Sequence, residues 1–167
     1  MNIEDLAARN VLVNRNKDHT ITAKVSDFGL SRKDDSGRGY TLKTSQKLPL
    51  KWLAPECFTK RMWTLASDVW SYGIVMWEVL SDGKEPYADM TFPNAQALSV
   101  FVAGGGHPTL LANAGAEWPK ILEMCWTKDP FKRPKMDAIL AEVIRVHDAG
   151  RSQQSQASAV ISSSAAA

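Results

Sequence analysis

Apolar and polar positions follow three different patterns along this chain, and each predicts a different element. "NVLVN" (residues 10–14) is a short β-branched run, and "TITAKVS" (20–26) alternates. Both predict strands, and the turn chemistry of "NRNKDH" between them predicts a hairpin. Residues 31–47, "SRKDDSGRGYTLKTSQK", show no period and many charges, which predicts a mobile loop. Thr64 is a suitable N-cap for a helix running to about Leu80, stopped by "SDG". Its Val69, Trp70, Ile74, Val75, Met76, Trp77, Val79 and Leu80 cover most of the helix circumference, so it belongs in the core. A weaker helix follows Pro93, with Ala97, Leu98, Phe101 and Val102, and "GGGHPT" ends it. Trp118, Ile121, Leu122 and Cys125 fall at i, i+3, i+4, i+7. Met136, Ile139, Leu140, Val143 and Ile144 mark a last helix, which Gly150 suits as a stop. The remainder is rich in Ser, Gln and Ala. It predicts a disordered tail over 150–167, set apart from a domain over 1–149.

Composition narrows the class. The 167 residues are 44% hydrophobic and 23% charged, ordinary for a globular chain. A net charge of +2 argues against nucleic-acid binding or membrane adhesion. The most apolar stretch, "VWSYGIVMWEVL", is too short to cross a bilayer and carries Glu78. Cys57 and Cys125 have neither metal-ligand spacing nor the density of a disulfide framework, which points to a reducing, cytoplasmic setting. His107 and His147 show no ligand pattern. Trp63, Trp70, Trp77, Trp118 and Trp126 are expected in the core.

The chemistry concentrates in "DLAARN" (Asp5 to Asn10) and "DFG", which begins at Asp27. Closing the hairpin brings Asn10 and Asp27 together. A carboxamide oxygen and a carboxylate facing one site suit a hard cation such as magnesium. Asp5 is left to orient a hydroxyl and accept its proton.

These segments resemble the catalytic loop and metal-binding segment of protein kinases. The resemblance continues through "APE" (Ala54 to Glu56), "DVWSYG" (Asp68 to Gly73) and "CWTKDPFKRP" (Cys125 to Pro134), in family order over roughly residues 5–147. The loop carries Arg9, four places after Asp5, where serine/threonine kinases instead use a lysine two places after the aspartate. With Pro49 and Trp52 in "KLPLKWLAPE", it is similar to the tyrosine-specific branch. A phenol holds its hydroxyl farther from the peptide backbone than serine does, so the peptide platform must sit farther from Asp5.

The resemblance implies a mainly α fold: a kinase C-terminal lobe with a small β-hairpin and an activation segment. It implies transfer of the ATP γ-phosphoryl group to protein tyrosine with magnesium. Asp5 would be the base and Arg9 a substrate-orienting group. Asn10 and Asp27 would be metal ligands, and Pro49 and Trp52 would position substrate. Tyr40 would be a phosphorylation site, with Arg32 as local partner. Glu56 and Arg133 would form a buried ion pair, and Asp68 would accept catalytic-loop N–H groups. The partners implied are tyrosine-containing proteins. The location implied is the cytoplasm or the cytoplasmic part of a membrane receptor.

The chain departs from the family in two ways. No G-x-G-x-x-G occurs: "GRGYTL" and "GGGHPT" both fail at the last glycine, and Lys24 lies too close to the metal-binding segment to be the strand lysine. The β-rich N-terminal lobe is therefore expected to be absent. Ile3 and Glu4 also replace the usual His-Arg. Together these predict the second half of a kinase domain, inactive alone. The alternative is a catalytically inactive kinase-lobe binding module or a truncated gene product.

Overall fold

The computed structural model describes residues 3, 5–27, 40–41, 48–111 and 114–164, with the side chains of 40–41 and 153–164 left out. Strands β1 (Val11–Arg15) and β2 (Ile21–Val25) pair antiparallel from Val11 opposite Val25 to Arg15 opposite Ile21. The turn is built as its composition predicts. Asp18 accepts from the backbone N–H and the hydroxyl of Thr20, at 3.1 and 2.7 Å, and these bonds hold its carboxyl below the usual carboxylate range. His19 takes the left-handed position, φ 66°. Leu12, Val13 and Ile21 are 63%, 66% and 63% exposed, so this ribbon carries apolar surface outside the core.

Of the predicted mobile loop, only the backbone of Tyr40 and Thr41 is described. It forms β3 (Tyr40–Thr41), paired antiparallel with β4 (Met62–Trp63). The rest of that loop, Arg32 included, and Glu4 lie outside the described residues.

The helices are α1 (Pro55–Thr59), α2 (Leu65–Leu80), α3 (Ala95–Ala103), α4 (Glu117–Cys125) and α5 (Met136–Ser164). Thr64 caps α2 in a reciprocal box with Ser67, as its position predicts. Asn94 caps α3 by accepting from the Ala97 N–H at 2.9 Å. The core is α2 packed on α4, with Trp70, Ile74, Ile121 and Leu122 fully buried. Trp63, Trp77 and Trp126 join it, and Trp118 packs at its edge. Burial pushes the Cys57 and Cys125 thiols up to about 12, so neither is a thiolate at neutral pH.

One expectation about α5, its stop at Gly150, needs correction. Ile139 is buried and Val143 and Val146 pack against the core, but Leu140 and Ile144 are half exposed. The helix lies chiefly against α4, and one neighbour covers only a narrow stripe. The helix does not stop at Gly150 but continues to Ser164. Lack of apolar residues removes a reason to pack. It does not remove the i→i−4 ladder, and Ala, Gln and Arg are good helix formers with no proline among them. A Cβ at Gly150 would meet nothing within 4 Å. Gly150→Ala is therefore expected to stabilise α5 by about 0.5–1 kcal/mol, read as higher helicity by circular dichroism with no loss in melting temperature.

Candidate functional site: a loop closed on Asp5

Asp5, Arg9 and Asn10 share one tight loop, which ends in a 3-10 turn, Ala8–Asn10, leading into β1. The Arg9 guanidinium donates to the Asp5 carboxylate. The Asn10 side-chain amide donates to the Asp5 carbonyl at 2.8 Å, so the loop closes on Asp5 from two directions. That bond uses the amide nitrogen and not its oxygen.

The hairpin extends one residue past its ladder. The Ser26 N–H and hydroxyl both donate to the Asn10 carbonyl, at 2.7 and 2.9 Å. Asp27 follows directly, exposed, with φ 57°. Asn10 and Asp27 thus stand at the same open end of the ribbon. Among the described residues no cluster of three or more His, Cys, Asp or Glu could hold a metal by itself. Magnesium is usually held by one or two carboxylates together with substrate phosphates and water. A sparse set of hard oxygen donors, one carboxylate and one carboxamide, fits that cation.

The base of the loop is tied to α2 twice. Asp68, in its first turn, accepts the Ile3 N–H on both carboxylate oxygens, at 3.1 and 3.0 Å. Glu78, near its end, accepts the Ala8 N–H at 3.0 Å. The same Glu78 oxygen accepts the indole N–H of Trp52 at 2.9 Å. The pattern of apolar positions reads Glu78 only as an interruption. The available signal was a carboxylate inside the most apolar helix, which has to find donors there.

Pro49 precedes a second 3-10 turn, Leu50–Trp52. The Arg9 guanidinium lies over the Trp52 ring, 4.4 Å from its centroid. Pro49 and Trp52 also border an open groove of about 600 Å³, with Tyr87, Met90, Phe92 and Leu98 among its walls. Lys51 at its edge pairs with Glu85 at 2.7 Å. Tyr87 holds φ 63°, and burial pushes its phenol pKa up.

Farther from the loop, Glu56 and Arg133 form a two-pronged ion pair at 2.8 and 3.1 Å, their side chains 2% and 0% exposed. Arg133 also donates to the carbonyls of Thr127, Ala66 and Lys128. The backbone of Tyr40 is held opposite Trp63. No helix of the described residues is long and apolar enough to cross a membrane.

The chain matches the model of the family described as protein tyrosine and serine/threonine kinase over residues 4–143. It is 46% identical to the ephrin type-A receptor 5 of Gallus gallus over 139 residues, 82% of this chain and 13% of the receptor. It is 45% identical to the ephrin type-A receptor 3 of Danio rerio over 148 residues, 85% of this chain and 14% of that protein. With the ephrin type-B receptor 2 of Gallus gallus the identity is 46% over 139 residues, 81% of this chain and 13% of the receptor. The chain belongs to the protein tyrosine and serine/threonine kinase family, and what it carries has the make-up of the C-terminal lobe of a kinase catalytic domain. It spans about 13% of the length of the curated relatives it matches. Kinases of this family use ATP and magnesium.

Proposed function

We propose that residues 1–149 form the acceptor-binding half of a protein tyrosine kinase, with the segment from 150 as a tail outside it. In that kinase Asp5 orients the tyrosine hydroxyl and accepts its proton as the ATP γ-phosphoryl group is transferred. Arg9 holds Asp5 and meets the phenol. Asn10 and Asp27 supply the oxygens for magnesium, which draws charge from the phosphates when bound. Pro49 and Trp52 shape the surface on which the acceptor peptide lies, and Tyr40 is the site of modification on the activation segment. The partners are proteins bearing tyrosine rather than nucleic acids, and the setting is cytoplasmic, either free or on a membrane receptor.

The observation that carries this reading is the closed loop, in which Arg9 and Asn10 both bond to Asp5 while Arg9 lies over Trp52. A tyrosine peptide and its phenylalanine twin, titrated into the 167-residue chain, test it. A hydrogen bond to a charged group is worth about 1.5–3 kcal/mol, so tyrosine should bind about tenfold tighter or more, and Asp5→Asn should erase the preference. Equal affinity for the twins would overturn the reading. An intact kinase carrying this lobe that phosphorylated only serine peptides would overturn the tyrosine assignment.

A second reading treats the 167-residue chain as a binding module without transfer activity. The exposed apolar side chains of Leu12 and Val13, on the strand that leads out of Asn10, favour it, because they offer a partner protein an apolar surface next to the loop. Micromolar affinity of this chain for ATP with magnesium would exclude it.

A further inference from the structure

Glu78 is 9% exposed, on a helix whose other inward positions are apolar or small. Leucine or methionine would fill that space without the cost of desolvating a carboxylate. What neither could do is join two separate segments through one oxygen. Oε2 accepts the Ala8 N–H, beside Arg9 in the loop, and the indole N–H of Trp52, on the platform. Arg9 closes the circuit by lying over the Trp52 ring and pairing with Asp5. An indole that donates to an anion gains electron density on its face, and that face is what holds a guanidinium.

We infer that Glu78 is a positioning residue for the acceptor hydroxyl: through Trp52 it fixes Arg9, and through Arg9 it fixes Asp5. This rests on the reading of Asp5 and Arg9 as the groups that meet the phenol. Glu78 touches no substrate. Its contribution is to keep a long, exposed arginine from leaving its place over the ring.

The test uses the isotopically labelled 167-residue chain. Ring currents from Trp52 should shift the Arg9 side-chain protons upfield, and the Trp52 indole N–H should exchange slowly with solvent. In Glu78→Gln the Arg9 protons should return toward their denatured-chain positions and the indole should exchange faster. The methyl resonances of Ile74 and Ile121 should stay in place, which a general loss of packing would not allow. Trp52→Phe keeps a ring but removes the donor. It should release Arg9 in the same way, and it carries the test if Glu78→Gln does not fold.

Arg9 protons that stay upfield in a folded Glu78→Gln or Trp52→Phe chain would overturn the inference. In the peptide titration, Glu78→Gln should weaken tyrosine-peptide binding about three- to tenfold, but not when Arg9 is already alanine. An equal loss in both backgrounds would also overturn it. If the unaltered chain shows no tyrosine preference, the functional reading falls on that result alone. The Arg9 shifts then still decide whether Glu78 sets the Asp5–Arg9 pair.

Discussion

Replacing Arg133 with alanine is expected to destabilise the chain by about 3–5 kcal/mol, a large part of the 5–15 kcal/mol typical of a whole domain. The loss comes from stranding more than from lost attraction. The Glu56 carboxylate would remain, 2% exposed, with its guanidinium partner gone. The carbonyls of Thr127, Ala66 and Lys128 would lose a donor in the same step. Those groups lie on α1, on the first turn of α2 and on the loop after α4, so one side chain ties three segments together. Glu56→Ala should cost less, because Arg133 would keep its three carbonyls and its place beside the Trp70 ring. Replacing both residues with methionine removes both charges and should recover part of the Arg133→Ala loss. Recovery stays incomplete, since each carbonyl left unsatisfied costs about 1–3 kcal/mol. Urea midpoints at constant slope would show this order. An Arg133→Ala chain within about 1 kcal/mol of the unaltered one would contradict the stranding account.

The ion pair, the hairpin and the cap of α2 show what kind of structure this sequence announces. β1, β2 and their turn are local, so alternation and Asn-Asp chemistry were enough to find them. The Asp5–Arg9 contact is local too, four residues apart, and the Asn10–Asp27 neighbourhood follows once the ribbon closes. Glu56 and Arg133 lie 77 residues apart and were paired only because the surrounding text resembles a family. The Glu78 bridge had no such guide: Ala8 is 70 residues away and Trp52 is 26, and no period links them. On α5 the apolar period was real, but period cannot count neighbours. It marks a stripe without saying how much of that stripe another helix covers, which is why Leu140 and Ile144 are half exposed. Gly150 misled for a related reason. Glycine permits a helix to end, and it ends one only where the next residues have somewhere else to go.

Gly73→Ala should move stability the opposite way from Gly150→Ala, with the same atoms added. Both positions are helical, and at both the substitution gains about 1 kcal/mol of intrinsic helix propensity. At Gly73 that gain meets a closed wall. A Cβ there would lie 2.6 Å from the Cβ of Cys125 and 2.8 Å from the Trp126 indole nitrogen. Both residues are buried, and Trp126 is further held by stacking on His107 at 4.6 Å. Neither neighbour is the free end of a flexible chain, so α2 and α4 must separate or the indole must turn. Overpacking of this kind costs about 1–3 kcal/mol, outweighing the propensity gain at the upper end of that range. The melting temperature should fall by about 2–4 °C per net kcal/mol in a chain of this size. Cys125→Ala should not rescue the variant, because the closest contact is to the Cβ and not the sulfur. Trp126→Leu should rescue it partly, by clearing the second contact. A Gly73→Ala chain that melts higher than the unaltered one would mean that α2 and α4 are not packed as closely as the 2.6 Å approach requires.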